Sequence, residues 1–375
     1  MSNPSSIIAA LPPFIQGAWE KSGFKELTPI QKEMIPEAAA GKNIIAEAPT
    51  GSGKTLAYLL PSLQKINPDI KQAQLIITAS SRELVMQILD NVNIWAKDSG
   101  IKAAALIGGA NLKRQQEKLK KKPHVIVGTP GRLTELAKSK KLKLHEVTTV
   151  VLDEADQLFA KEHIGEVDHL MKAVMKDCQR IICSATIPPR VEKQAKERIE
   201  APEVIRIEMD QDHLERVDHV YLVAERREKA KLFRKLVNME GMYGLAFSND
   251  IHELETFAER LEYRGKNVGV LHGTTSKQER EKAIKSFRSG EVPVLMATDV
   301  ASRGLDIEEV SHVIQLDLAN DIQQYVHRSG RTGRAGKSGT VVSIVTEGEK
   351  ERLLQIGDKL GLQIDEKTFS HGKLV

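Results

Sequence analysis

Ten short runs of apolar, often β-branched residues punctuate this 375-residue chain, at 43–46, 75–78, 124–127, 149–152, 180–183, 244–247, 268–271, 294–297, 312–317 and 339–345. Longer stretches of helical pattern separate them. Within a run the apolar residues are consecutive, as in Val150-Val151-Leu152, rather than alternating with polar ones. A strand apolar on both faces is covered on both faces, which points to parallel sheets with helices packed on either side. The intervening helices supply the crossovers that parallel strands require. The spacing therefore predicts an α/β fold. In such sheets ligands bind beyond the carboxyl ends of the strands, and the chemically distinctive motifs of this chain begin there.

The alternation pauses between residues 200 and 220, where Ala201-Pro202-Glu203 ends a helical stretch and Asp210-Gln211-Asp212-His213 is polar and turn-rich. At roughly 100–200 residues per domain, the length accommodates two. The predicted organisation is an N-terminal arm over 1–32, a first domain over 33–205, a linker over 206–217, a second domain over 218–366 and a short tail over 367–375.

With 41% hydrophobic residues the chain can bury a core without disulfides. Cys178 and Cys183 fit no zinc or redox spacing. Together with the lack of a leader or of an apolar stretch near the ~20 residues of a membrane span, they imply a cytoplasmic protein with no membrane partner. A net charge of +4 permits a polyanionic partner. Aromatic residues make up only 4% of the chain, too few for many base-stacking platforms, so a nucleic acid would be held by its backbone.

The most specific motif is Ala48-Pro49-Thr50-Gly51-Ser52-Gly53-Lys54-Thr55, set between a strand and an apolar helix start. Its glycines let backbone N–H groups turn toward phosphates, and the helix N-terminus adds its positive pole. Lys54 is suited to the β/γ-phosphates and the Thr55 hydroxyl to Mg²⁺. About a hundred residues on, Asp153-Glu154-Ala155-Asp156 closes an apolar strand. Asp153 there can hold a metal through water, and Glu154 can orient or deprotonate the attacking water. Standing alone, such an acidic cluster is equally a helix cap. Downstream, His327-Arg328-Ser329-Gly330-Arg331-Thr332-Gly333-Arg334 offers guanidiniums that can stabilise charge on a transferring phosphoryl group, an effect of ~10³–10⁵ in rate.

These motifs, in this order, resemble those of the DEAD-box RNA helicases, and the resemblance runs over nearly the whole chain. It implies two tandem RecA-like domains, each a parallel sheet flanked by helices, with ATP and Mg²⁺ as cofactors and RNA as partner. Gly23-Phe24 and Thr28-Pro29-Ile30-Gln31 are similar to the family's adenine-reading motif; Gln31 would confer ATP over GTP, its amide offering a donor and an acceptor. The aromatic that usually precedes this motif is absent: the register falls near Ser6, with Ile7 beside it and Phe14 as the nearest aromatic. Arg331 and Arg334 match the family's arginine fingers. Asp156, Ser184, Thr186, His327 and Arg328 match residues that couple the acidic motif to the second domain, and Asp306 matches a contact to the ribose side of ATP. The hydroxyls of Ser184-Ala185-Thr186, read alone, also fit plain helix caps.

An RNA track is implied by Arg82, Gly109, Thr129, Pro130, Gly131 and Arg132 in the first domain and by Asn249, Gly273, Arg280, Thr298 and Arg303 in the second, with Asp299 supporting a loop. Three departures stand out. Ser80-Ser81 replaces Pro-Thr, Thr274 replaces an Asp, and Lys277 replaces a Gln. Arg82 fits an ordinary ion pair as well. Two basic stretches, 113–122 and 138–143, read more simply as solvated faces than as RNA contacts.

The resemblance implies an ATP-dependent helicase whose hydrolysis is RNA-stimulated and which separates short duplexes locally or remodels RNA–protein complexes, with recognition largely independent of sequence. Two rivals remain: an RNA clamp whose hydrolysis only times release, and a DNA translocase. By analogy, a short-tailed enzyme of this kind suits ribosome assembly or RNA turnover, acting as a monomer, on ribosomal or other ribonucleoprotein particles.

Overall fold

A computed structural model describes residues 4–207, 217–302, 310–333, 338–370 and 372–375. The chain divides into two compact units, Met1–Glu208 and Met209–Val375.

The first unit is built on a seven-stranded parallel sheet. Its strands are β1 (Ile44–Glu47), β2 (Leu75–Thr78), β3 (Ala103–Leu106), β4 (Val125–Gly128), β5 (Thr149–Asp153), β6 (Gln179–Ser184) and β7 (Glu203–Arg206), in the order β3-β4-β2-β5-β6-β1-β7. The consecutive apolar residues divide between two cores because successive side chains point to opposite faces. Ile44, Ala46, Leu75, Ile77 and Val151 enter one core, and Ile45, Ile76, Val150 and Leu152 enter the other. The first core also takes Ile7, Leu11 and Ile15 from the N-terminal helices, so that segment packs as part of the unit.

The second unit repeats the plan. Its strands are β8 (Val217–Val223), β9 (Gly244–Phe247), β10 (Gly269–Leu271), β11 (Val294–Ala297), β12 (His312–Gln315), β13 (Gly339–Val345) and β14 (Asp365–Glu366), ordered β10-β11-β9-β12-β13-β8-β14. Leu245 and Phe247 face one core and Ala246 the other. A small antiparallel pair, Phe369–Ser370 with Lys373–Leu374, follows.

All ten predicted strands are present, within two residues at their ends. Four strands of the two parallel sheets, and both strands of the small antiparallel pair, were not predicted. β3 is Ala-Ala-Ala-Leu, whose residues do not favour strands on their own. β7 is an edge strand with only Ile205 buried, so it lacks a continuous apolar run. Asp218 and His219 interrupt β8, and β14 spans two residues. Because the sheets are parallel, every strand of a unit ends on the same edge, and that edge collects the motifs.

Candidate nucleotide and RNA sites

In the first unit, Ala48–Thr55 leaves β1 and enters the helix Lys54–Gln64. Gly51 and Gly53 take φ of 82° and 90°, in the left-handed region where a Cβ is strained. Gly53 is restricted twice over, since a Cβ there would lie 2.5 Å from Gln31 Nε2. Gln31 is buried and joins two elements. Its Oε1 accepts from Thr28 N at 3.0 Å, completing a capping box on the helix Pro29–Ala39, and its Nε2 donates to Gly53 O at 3.2 Å. The adenine-reading candidate is thereby fastened to the phosphate loop.

The Lys54 ammonium folds back onto its own loop, donating to Ala48 O and, at 2.8 Å, to Pro49 O. Burial holds its pKa below the usual lysine range, with nearby Asp153 pulling the other way. One helical turn on, the buried Tyr58 phenol donates to Asp153 Oδ2 at 2.8 Å. Burial also raises the phenol's pKa well above normal, so it remains a donor. Asp153 Oδ1 accepts from Glu154 N at 2.9 Å. Burial, with Glu154 beside it, pushes the Asp153 carboxyl up to about 6.

Glu154 itself has φ 55° and ψ 53° and precedes the short helix Ala155–Leu158. Its Oε2 accepts from Ser80 Oγ at 2.6 Å. Asp156 accepts from Ser184 Oγ at 2.8 Å and from Gln157 Nε2 at 3.0 Å. Ala48 N donates to Ser184 O at 3.2 Å, so Ser184 touches both the phosphate loop and the acidic motif. Thr186 lies just beyond with its hydroxyl buried.

These donors suit Mg²⁺. The Thr55 hydroxyl and the Asp153 carboxylate are hard oxygens, and no cage of three or more acidic, His or Cys side chains forms among the described residues. Mg²⁺ usually keeps several waters and takes its remaining ligands from one or two carboxylates and substrate phosphates.

Phe24 is 52% exposed and stacks on Trp95, with ring centroids 6.4 Å apart and planes within 8°. Trp19 sits against both rings. Phe14 and Ile7 instead pack with the first core.

The RNA-track candidates of the first unit lie along the ends of β2, β3 and β4. Arg82 opens the helix Arg82–Trp95, which Ser81 caps by accepting from Leu84 N at 3.1 Å. The Arg82 guanidinium rests on Gly109, where a Cβ would stand 2.1 Å from Nη2. Gly108 N donates to Thr129 Oγ1 at 3.2 Å, tying the glycine pair to Thr129-Pro130-Gly131-Arg132. Pro130 takes the first position of the helix Pro130–Lys138. Arg132 is buried; both Nη atoms donate to Ala110 O at 3.2 Å and Nε pairs with Glu135 at 2.9 Å. The basic stretch 113–122 spans most of the helix Leu112–Lys120 and the stretch 138–143 begins at the last residue of Pro130–Lys138; Lys118, Lys120 and Lys138 lie in last turns, where they complement the helix dipole. Five lysines, Lys71, Lys120, Lys122, Lys141 and Lys143, line an open pocket of about 510 Å³.

In the second unit Arg328 is the hub. It is 1% exposed on the helix Ile322–Ser329 and grips Asp299 with both prongs, Nε to Oδ1 at 2.8 Å and Nη2 to Oδ2 at 2.6 Å. It also donates to Asn249 Oδ1 at 2.6 Å and Asp317 O at 2.8 Å. Gln324 bonds the same Asp299 at 2.7 Å. Asn249, Asp299 and Arg328, from three separate motifs, are thus one network at the ends of β9, β11 and β12.

Thr298 is buried at the end of β11, and its N–H donates to Leu271 O at 3.1 Å. Arg280 Nη2 donates to Ala301 O at 2.8 Å. Thr274, which replaces an acid, bonds His272 Nδ1 through its hydroxyl at 2.8 Å, and Gly273 lies between them. Lys277 opens the helix Lys277–Arg288 behind the capping box of Ser276 and Glu279. His327 lies in the same helix as Arg328, and Arg331 is buried in the turn that follows. Arg303, Asp306 and Arg334 lie outside the described residues.

Sequence reading overlooked Tyr58 and Gln324. Each had a signal: Tyr58 stands four residues after Lys54 on one helix face, and Gln324 four before Arg328.

The chain matches the DEAD/DEAH box helicase family over residues 28–194 and the helicase conserved C-terminal domain over residues 228–336. It is similar to the Bacillus cereus DEAD-box ATP-dependent RNA helicase CshC, with 47% identity over 369 residues, 98% of this chain and 95% of that protein. The probable ATP-dependent RNA helicase YfmL of Bacillus subtilis is 48% identical over 361 residues, 96% of each chain. Among solved structures, S. cerevisiae Dbp5 bound to RNA and ADP BeF3 superposes with a TM-score of 0.87 and 28% identity, over 98% of this chain and 95% of that one. No described helix is long and apolar enough to cross a membrane. Identity of this order along almost the whole length means that the chain belongs to the DEAD-box family of ATP-dependent RNA helicases.

Proposed function

We propose that this RNA helicase hydrolyses ATP in an RNA-stimulated manner and uses the cycle to separate short duplexes locally or to remodel RNA–protein complexes. The observation that carries this reading is the meeting of the phosphate loop and the acidic motif on one sheet edge, with Tyr58 bridging the loop's helix to Asp153. ATP would displace Lys54 from its own carbonyls onto the β- and γ-phosphates. Thr55 and, through water, Asp153 would hold Mg²⁺, which supplies charge neutralisation on the phosphates when bound. Glu154 would orient and deprotonate the attacking water. Gln31 would read adenine beside the loop it already touches. Arg331 and Arg334 would stabilise the transferring phosphoryl group, with Asp306 at the ribose and with Asp156, Ser184, Thr186, His327 and Arg328 coupling the two units.

RNA would lie along Arg82, Gly109, Thr129, Pro130, Gly131, Asn249, Gly273, Arg280, Thr298 and Arg303, held mainly by phosphates and 2′-hydroxyls. Arg132, already bonded to Ala110 and Glu135, would shape this track rather than contact phosphate. Two domains over 33–205 and 218–366, with a linker between, suit such a cycle. We place the enzyme in the cytoplasm as a monomer acting on ribosomal or other ribonucleoprotein particles.

Glu154→Gln tests the chemistry. ATP and RNA binding are expected to persist while turnover is abolished; near-normal hydrolysis would remove Glu154 from this role. Strand displacement with matched RNA and DNA substrates tests the rest. A clamp would bind RNA with ATP and displace nothing, and a DNA translocase would respond equally to DNA.

A further inference from the structure

The hydrogen bond from Ser80 to Glu154 belongs to this chain rather than to the motif it occupies. Ser80 stands where the resembling motif has proline, whose ring offers no donor. It lies two residues beyond the end of β2, and Glu154 lies one beyond the end of β5. These strands are parallel neighbours, with Thr78 opposite Leu152, so the register brings the two side chains together at the strand ends. The contact is short, 2.6 Å from Oγ to Oε2, as expected for a hydroxyl donating to a carboxylate.

Glu154 is held at both ends. Its backbone sits in the left-handed region, uncommon for a residue with a Cβ, and its N–H donates to Asp153 Oδ1 at 2.9 Å. Its side chain does not cap the helix it precedes. The neighbouring serines divide the work: Ser81 caps the helix Arg82–Trp95, which leaves Ser80 to donate to the carboxylate. A long side chain has several rotamers, and one fixed donor selects among them.

We propose that Ser80 is a positioning residue for Glu154, fixing the carboxylate where the attacking water is activated. This rests on the role assigned to Glu154 and assigns Ser80 no contact with substrate.

The test uses the full chain at saturating RNA and Mg²⁺·ATP, with Ser80→Ala, Ser80→Thr, Glu154→Gln and the Ser80→Ala/Glu154→Gln double variant. Ser80→Ala is expected to lower kcat about tenfold, the order of one hydrogen bond to a charged group. KM for ATP and half-saturating RNA should stay within about twofold by the same reasoning, since neither ligand loses a contact. Ser80→Thr keeps the hydroxyl and should recover most of the rate. The double variant should be no slower than Glu154→Gln in a single turnover. Parental or faster turnover by Ser80→Ala, alongside an inactive Glu154→Gln, would overturn the positioning role and leave Glu154 in place. Failure of Ser80→Thr to recover, or a parallel loss of ATP and RNA affinity, would mark Ser80 as structural and overturn it too. Normal turnover by Glu154→Gln would overturn both readings.

Discussion

The Tyr58 phenol donates its proton to Asp153 Oδ2 across 2.8 Å, linking two residues 95 positions apart. The same Asp153 carboxylate accepts the Glu154 N–H on its other oxygen. One buried bond therefore ties the helix that carries Lys54 to the strand end that carries the acids, and the other fixes the plane of the carboxylate.

Tyr58→Phe removes this bond and little volume. The fold should survive with a loss of about 1.5–3 kcal/mol, the usual worth of one hydrogen bond to a charged group. Mg²⁺-dependent tightening of nucleotide binding should weaken several-fold, because the Asp153 carboxylate is freer to rotate. Titrating a fluorescent ADP analogue with Mg²⁺ and with chelator separates the two effects. An unchanged Mg²⁺ dependence would leave Tyr58 as packing alone.

Gln31→Ala should act on the loop as well as on the base. It deletes the cap on Thr28 and the bond to Gly53 O, so ATP affinity should fall about tenfold, as for loss of more than one hydrogen bond. Preference for ATP over GTP should collapse with it. Competition of each nucleotide against a labelled one measures both. Weaker binding with intact preference would confine Gln31 to supporting the loop.

At Gly109 the left-handed φ of 71° and the overlying Arg82 guanidinium act against any side chain. Gly109→Ala must displace Arg82 or reshape the loop. RNA affinity should drop several-fold while RNA-free ATP binding stays at the parental value. Fluorescence anisotropy at fixed salt is the measurement, since phosphate contacts weaken as salt rises. Unaltered RNA affinity would take the Arg82–Gly109 pair off the RNA track.

Arg328→Ala takes the cation from Asp299, whose side chain is 17% exposed, and removes one of the hydrogen bonds of Asn249. Breaking a fully buried pair on one side costs about 3–5 kcal/mol, which is the upper end for a pair whose acid is partly exposed. The second unit should lose its thermal stability while the first retains nucleotide binding, which calorimetry with and without ATP can follow. Arg328→Lys should rescue little, because an ammonium cannot reproduce the two-pronged grip. Parental melting of Arg328→Ala would show the network to be dispensable.

Local sequence determined a good deal here. Consecutive apolar runs announced parallel strands, because a strand buried on both faces has no polar side to show. The glycine-rich loop ahead of Lys54 and the acids ending a strand were legible because phosphate binding demands particular residues at fixed short spacing. Ser80-Ser81 was visible as a departure, but its meaning was not. Tertiary structure alone set β2 beside β5 and so put a serine hydroxyl on Glu154. It alone turned Arg132 inward and gathered Asn249, Asp299 and Arg328, from three distant motifs, into one network around the buried Arg328 guanidinium. The edge strand β7 and the alanine strand β3 likewise took their state from neighbours, since neither carries the apolar pattern that names a strand by itself. Periodicity and short motifs are properties of adjacent residues. Which strand end meets which depends on sheet order, and that is decided by packing between segments far apart in the chain.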